Sequence, residues 1–291
     1  MRREMITSVM VSYNPDSEIT GNITSISSQC LELIIVDNGS SEKWWEKLQI
    51  PPRVKIIALD YNYGIAHATN IGIVNSCVDS KWFALFDQDT SIDNGYFEMM
   101  LENIEKSGDL DTSRVGLIAP SFGGLKISSS YEIGAVKEIK TAIASGSMIK
   151  RSALKNTGLM DDLLFIDYVD NDFCFRLMSE GYLVVEAEGI RLSHSLGKMS
   201  PHRIGKWQFH TSNHSPLRKY YVFRNRIYIY RNYIYRYPVW VFRDFFRNIT
   251  EILKIAMWEE DKSEKFYFIR RGISDGLAGR FGKYNSKPGS K

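Results

Sequence analysis

Through the first 120 residues, short apolar runs rich in Val and Ile alternate with stretches whose apolar positions fall three or four apart. The runs "ITSVMVSYN" (6–14), "LELIIVDNGS" (31–40), "VKIIALD" (54–60), "KWFALFDQD" (81–89) and "VGLIAP" (115–120) read as strands. Among the intervening segments "NGYFEMMLENIEKSG" is the clearest helix, with Phe97, Leu101 and Ile104 on one face and Gly108 close to its end. Strands alternating with helices predict an α/β fold, a mostly parallel sheet with helices on both faces. Ligands of such sheets bind beyond the carboxyl ends of the strands. Asn14, Asp37 and Asp87 fall at those ends.

Between about 130 and 195 the α/β pattern continues. "IKTAIASGSMIKRSAL" predicts a strand, a Ser-Gly-Ser turn and a helix. "FIDYVDNDFCFRLMSEGYLVVEAEG" predicts an acidic loop, a helix ending at Gly181 and a further strand. Residues 195–216, polar and holding three histidines, read as a long loop, functional or mobile. From Pro216 the spacing turns helical, and Val239, Phe242, Phe246, Ile249, Leu253 and Ala256 form one stripe apart from Arg243, Arg247, Glu251 and Lys254. The expected organisation is an α/β body at 1–215, a basic, aromatic helical extension at 216–282 and a disordered tail at 283–291.

Composition then sharpens the division. The net charge of +3 hides 19 Lys+Arg against 7 Asp+Glu in residues 201–291, with an acidic excess in the first 200. A basic, aromatic C-terminal region on an acidic body predicts different partners for the two halves. Basic residues interleaved with aromatics fit single-stranded nucleic acid, an anionic membrane surface, or plain core packing between helices. The three cysteines form no C-x-x-C pair and are odd in number, which predicts reduced thiols in a cytoplasmic setting. No signal-peptide pattern opens the chain, and no apolar run reaches the ~18 residues of a membrane span.

The candidate chemistry centres on acids. Asp87 and Asp89 flank Gln88, and two carboxylates so close repel unless a cation or donor groups neutralise them. A solvated loop, a divalent-cation site beside a nucleoside diphosphate, and the nucleophile loop of a haloacid-dehalogenase-like phosphatase acting through Asp87 all fit this pattern. The phosphatase pattern wants Thr or Val where Ser91 stands, and a loop nearer the N-terminus. Asp37 could accept from the ring N–H of a base, or Asn38-Gly39 could simply turn the chain. In "YNYGIAHATNIG" (61–72), Gly64 and Gly72 allow close backbone approach, Asn62 and Asn70 could fix a ligand, and a helix starting near Gly64 would present N–H groups to an anion.

Seven segments together, "VSYN", "IIVDNGS", "NYGIAHATNIG", "FDQDT", "ASGSM", "FIDYVDNDFCFRLMSEGY" and the histidine of "LSHSLGK", occur in the order found in family 2 inverting glycosyltransferases. The resemblance covers roughly residues 5–235, and "FDQDT" with "HSPLRKYYVFRN" most resembles the bacterial rhamnosyltransferase branch. It implies a Rossmann-like GT-A fold and a nucleotide-sugar donor, dTDP-L-rhamnose in that branch. The implied acceptor is a saccharide or a polyprenyl-diphosphate-linked saccharide at the inner face of the cell membrane, and with such a body the basic extension is expected to meet that anionic surface through the amphipathic stretch 238–258 rather than to bind nucleic acid. The resemblance assigns donor binding to Tyr13, Asn14, Asp37, Asn62, Gly64, Asn70, Asp87, Gln88 and Asp89. It gives Mg²⁺ or Mn²⁺ to Asp89 and His194, and the catalytic base to Asp170. Gly146, Ser147, Asp167, Lys198, Arg218 and Arg224 are implied near the acceptor or the diphosphate, with Arg203 a further candidate on closure. Two departures stand out. Val169-Asp170 replaces a common Glu-Asp, which leaves Asp167 a rival base, and His67 stands where many relatives carry an arginine. Asp170 as a helix cap, His194 as a strand-end residue and Arg224-Asn225 as a surface pair are the competing structural readings.

Overall fold

A computed structural model of the chain describes residues 5–108, 110–121, 136–190, 192–194, 200–204, 207–211 and 213–285. The chain divides into two compact units. The first comprises residues 1–162 and 169–195; the second comprises 163–168 and 196–291.

The first unit is built on an eight-stranded mixed sheet. Its strands are β1 (Ile6–Ser12), β2 (Glu32–Asp37), β3 (Val54–Ala58), β4 (Trp82–Asp87), β6 (Val115–Pro120), β7 (Val136–Glu138), β8 (Met148–Lys150) and β9 (Leu183–Ala187), in the order 3-2-1-4-8-6-9-7. A two-residue strand, β5 (Thr90–Ser91), lies outside this sheet and pairs elsewhere. Strands β3, β2, β1 and β4 run parallel, β8 is antiparallel to both its neighbours, and β7 is antiparallel to β9. All five strands expected before residue 121 are present. The strand expected in "IKTAIA" is not: β7 precedes it and β8 follows the Ser-Gly-Ser turn.

Period-two burial explains why the central strands are so uniformly apolar. In β2, Leu33 and Ile35 enter a large cluster with Ile19, Ile23 and Ile26 of helix α1 (Ile19–Ser27) and Phe97, Met100, Leu101 and Ile104 of α3 (Tyr96–Glu105). Their neighbours Ile34 and Val36 join a second cluster with Ala68 and Ile71 of α2 (Ile65–Val74) on the opposite face. Each such aliphatic side chain contributes about 1.5–3 kcal/mol of transfer free energy, and strands covered on both faces need no polar alternation. Two helices complete the unit, α4 (Arg151–Thr157) and α5 (Val169–Ser179), the latter stopped where Gly181 takes φ +83°. Cys30 and Cys174 are buried, and none of the three cysteines is in a disulfide. Burial pushes the Cys174 thiol up to about 12.

The second unit contains helices α6 (Pro216–Tyr233), α7 (Pro238–Trp258) and α8 (Lys262–Leu277). Ser215 caps α6 by accepting from the Arg218 N–H at 3.3 Å, with Pro216 behind it in the first turn. Gly272 and Gly276 let α8 lie directly on the α6 backbone, against the carbonyls of Tyr220 and Arg224. Within the stretch read as one long loop there is a hairpin, β11 (Ser200–Ile204) with β12 (Trp207–Thr211); Ile204 pairs with Trp207. The expected tail is partly docked: the Tyr284 N–H donates to the Tyr221 hydroxyl at 2.8 Å and its ring meets Tyr220 and Phe268. Residues 286–291 lie outside the described residues.

Much of the basic excess is internal. Lys219 is 1% exposed and donates to Glu251 at 2.8 Å, while Lys265 reaches Glu259 at 3.0 Å. Arg226 bridges Asp244 at 2.9 Å and Glu251 at 3.2 Å. Burial pushes the Glu251 carboxyl up, but Lys219 and Arg226 outweigh it and hold the group below its ordinary range. The aromatics Tyr220, Tyr221, Phe223 and Tyr233 of α6 are core residues.

A first test concerns the seat of α2. A methyl on Gly72 would enter the Val9 side chain of β1. Gly72→Ala is expected to lower unfolding free energy by about 1–3 kcal/mol in urea titration, and an unchanged midpoint would show that β1 and α2 can separate freely.

Candidate active site

The order 3-2-1-4 puts β1 between β2 and β4, and the register fixes what stands at their ends. Ser12 of β1 pairs with Asp37, and Val11 pairs with Asp87. Two strand-terminal carboxylates therefore flank the carboxyl end of β1, beyond which Tyr13 and Asn14 leave the sheet. The Tyr13 N–H donates to Gln88 Oε1 at 2.7 Å. Asn14, at φ +46°, donates its N–H to Ser40 Oγ at 2.7 Å and accepts from the Ser41 N–H at 2.9 Å. Asparagine tolerates this left-handed conformation better than most residues.

Asp37 is 1% exposed and heavily engaged. Its carboxylate accepts from the Ser40 N–H at 2.9 Å, the Ser40 hydroxyl at 2.6 Å, the Ser12 hydroxyl at 3.2 Å and the Trp44 indole N–H at 2.7 Å. A buried carboxylate is tolerated when donors surround it in this way. Trp44 already supplies the kind of ring N–H that a nucleobase would offer. Neither Trp44 nor Ser40 was singled out from the sequence, because neither lies on a periodic apolar stripe or in a charged cluster.

The loop after β3 joins this group. Asn62 Oδ1 accepts from the Gly64 N–H at 2.9 Å and the Asn38 amide at 3.3 Å, and Asn38 in turn accepts from the Tyr63 N–H at 2.9 Å. Gly64 stands at φ +96° as the N-cap of α2, a conformation that favours glycine. Asn70 has a different task from the ligand contact expected of it. It is buried, its amide donates to the Met160 carbonyl at 2.9 Å and to Asp162 at 2.7 Å, and its carbonyl oxygen accepts from the Met160 N–H at 2.9 Å. His67 Nδ1 lies 2.8 Å from the same Asp162, and its ring stacks on Tyr63, which stacks on Tyr61.

At the end of β4, Asp87 and Gln88 are half-buried and Asp89 is exposed. The Asp87 N–H donates to Ser145 Oγ at 3.1 Å, and that hydroxyl meets Thr90 Oγ1 at 2.8 Å. Here the "ASGSM" turn returns alongside β4: the Gly146 N–H donates to the Leu85 carbonyl at 2.7 Å, and Leu85 N–H to the Ser147 carbonyl at 3.0 Å. Gly146 takes φ +79° and a side chain there would strike Leu192 and Tyr96. Ser147 is fully buried, its hydroxyl donating to the Ile143 carbonyl. Both residues, expected near the acceptor or diphosphate, instead shape the turn that supports the end of β4.

Strand β5 (Thr90–Ser91) pairs antiparallel with β10 (Ser193–His194), and His194 stands in register with Thr90. The chain thus brings His194 beside the residue that follows Asp89. Among the described residues no group of three or more His, Cys, Asp or Glu could hold a metal ion; the His194 side chain lies outside them. One exposed carboxylate with one imidazole position beside it fits a divalent cation that takes its remaining ligands from phosphate oxygens and water, as Mg²⁺ does in nucleotide sites.

The two rival bases differ in their surroundings. Asp170 lies in the first turn of α5, half-buried, its Oδ1 accepting from the Asn171 N–H at 2.9 Å. Asp167, in the second unit, faces the Arg218 guanidinium, which reaches both of its oxygens at 3.1–3.4 Å. Phe165, Asp167 and Tyr168 all carry positive φ, strain that persists only where surrounding bonds over-determine it. Asn225 supplies them, its amide donating to the carbonyls of Leu164, Ile166 and Asp167 at 2.7–2.8 Å. Arg224 is 0% exposed and donates to the carbonyls of Leu163, Leu164 and Gly282, with its guanidinium over the Tyr221 ring. It is not a surface residue. Lys198 lies outside the described residues, as does the side chain of Arg203.

Comparison with known proteins agrees with this geometry. The pattern of "Glycosyl transferase family 2" matches residues 7–158. A dTDP-rhamnosyl transferase, RfbF of Shigella flexneri, is 30% identical over 239 residues, 76% of this chain and 78% of that protein. The succinoglycan biosynthesis protein ExoO of Rhizobium meliloti is 24% identical over 172 residues, 57% of this chain and 49% of that one. Among solved structures, GalNAc-T7 with UDP, GalNAc and Mn²⁺ superposes with a TM-score of 0.60 at 13% identity, over 94% of this chain and 56% of that one. The fold is therefore of the GT-A type, and the phosphatase reading of Asp87 falls away. The chain belongs to glycosyltransferase family 2.

Proposed function

We propose that this glycosyltransferase moves L-rhamnose from dTDP-L-rhamnose, with inversion, onto a saccharide acceptor carried on a lipid diphosphate, in assembly of a bacterial cell-surface polysaccharide such as O-antigen. The donor assignment is supported by the likeness to a dTDP-rhamnosyl transferase across three quarters of the chain. The place in polysaccharide assembly is supported further by the relative named for succinoglycan biosynthesis. The observation that carries the chemistry is the alignment of Asp37 and Asp87 on either side of β1, with His194 registered beside the Asp87–Asp89 turn.

In this reading the base lies toward Asp37, Asn14 and Asn62, with Tyr13 beside it, and the ribose toward Asp87. Asp89 and His194 would hold Mg²⁺ or Mn²⁺, an ion that would supply positive charge against the departing diphosphate. Asp170 removes the proton of the acceptor hydroxyl as that oxygen attacks the anomeric carbon opposite the leaving group. Asp170 is preferred to Asp167 because the Arg218 fork occupies both Asp167 oxygens. A transferase of the same fold using another nucleotide sugar is the second reading.

Calorimetric titration of dTDP, UDP and GDP, with and without Mn²⁺, tests the donor site. dTDP should bind most tightly, and Asp89→Ala should weaken the metal-dependent component by more than about tenfold, about 1.4 kcal/mol. A preference for UDP or GDP would remove the rhamnose assignment; no nucleotide binding by folded protein would remove the donor site. The base is tested by turnover. Asp170→Asn is expected to lower kcat by about 10²–10⁴-fold while dTDP affinity stays unchanged, whereas Asp167→Asn should cost far less. The reverse order would move the base to Asp167.

A further inference from the structure

Helix α7 is the place where the second unit spends apolar surface on solvent. The amphipathic stretch 238–258, expected from the sequence to dock on a membrane surface, does turn its stripe outward: Val239 is 63% exposed, Phe242 57%, Phe246 63%, Ile249 40%, Leu253 51% and Met257 53%. These positions advance three or four residues at a time and lie on one face. The opposite face carries the buried Val241, Asp244 and Ile255. Large exposed apolar patches on a single element mark interaction sites.

Charge decides what covers this face. Arg243 and Arg247 are exposed and Lys254 is half-buried, and all three lie along one side of the apolar stripe at helical spacing. The only acids of α7 are Asp244 and Glu251, and both are turned inward. Asp244 accepts from Arg226, from Arg247 and from the hydroxyls of Tyr168 and Tyr230, and Glu251 accepts from Lys219 and Arg226, so that the exposed Arg247 is one of three cations set against these two acids. The helix has thus hidden every negative charge and left an apolar stripe with a basic shoulder. The first exposed acids, Glu260 and Asp261, come after its end. Among the described residues no helix is long and apolar enough to cross a membrane.

We infer that α7 docks flat on an anionic lipid surface, its Phe242–Phe246–Leu253 stripe entering the acyl boundary and Arg243, Arg247 and Lys254 meeting the headgroups. A second copy of the chain fits less well, because a symmetric contact through the same stripe sets like-charged shoulders close together. The inference is independent of the donor sugar.

Flotation of the full-length protein with vesicles tests it, using phosphatidylcholine alone or mixed with phosphatidylglycerol. The protein should float with the anionic vesicles at low salt, and at least about tenfold less with phosphatidylcholine alone or at high salt. Phe242→Ser with Phe246→Ser should abolish flotation, and Arg243→Gln with Lys254→Gln should remove its dependence on phosphatidylglycerol. All four side chains lie outside the core, and thermal melts by circular dichroism check that the variants remain folded. Wild-type protein that stays at the bottom of the gradient with anionic vesicles at low salt would overturn the inference. So would a concentration-dependent dimer that the phenylalanine variants dissolve while vesicle binding is absent.

Discussion

Parallel pairing of β1 with β2 on one side and β4 on the other brings Ser12 level with Asp37 and Val11 level with Asp87, and the proposed donor site depends on that register. A shift of one residue in either pair would turn every buried side chain of that strand to the opposite face. The two apolar clusters resist it, since Leu33 and Ile35 fill one and Ile34 and Val36 the other. Stability and chemistry are therefore set by the same constraint. The alternation that builds the core also delivers each acid to the one edge of the sheet where a ligand can reach it.

The acids at that edge are not equivalent, and their differences follow from local donors rather than from sequence spacing. Asp37 is surrounded by two serines and an indole. Such a carboxylate is a fixed acceptor, costly to move and costly to leave unpaired. In the proposed donor site, a base approaching Asp37 would have to share its oxygens with Trp44 or displace that ring. Asp89 is its opposite, exposed and followed directly by the strand that pairs with His194. Buried and donor-rich at one position, solvated and next to a histidine position at the other, the two sites suit a ring N–H and a hydrated cation respectively.

The sequence was most legible where periodicity was strong. All five early strands, the helices on both faces of the sheet and the break at Gly181 follow from apolar spacing and glycine placement. Strand β8 was missed because three residues carry no period, and the β11–β12 hairpin because "SPHRI" and "WQFHT" do not alternate apolar with polar. Side-chain roles were less legible than positions. Asn70, Ser147 and Arg224 were expected near ligands because their motifs contain them, yet each is spent on backbone groups of its own unit. A polar residue in a motif can serve the scaffold that holds the motif, and only burial and partners separate the two cases.

Net charge was the least reliable guide of all. Residues 201–291 hold a large basic excess, but Lys219, Arg224, Arg226 and Lys265 are inside, paired with acids or carbonyls. A basic patch that binds nucleic acid needs its cations in water, and these have been removed from it. Internal pairs of this kind add little net stability, yet breaking one strands a buried charge at a cost of about 3–5 kcal/mol. That cost fixes which face of α7 turns inward, because Asp244 and Glu251 must meet Arg226 and Lys219. Their pairing leaves the other face with aromatic and aliphatic side chains and three cations. The exposed surface of the helix is thus a consequence of the buried charges beneath it, which decide that the apolar stripe faces outward.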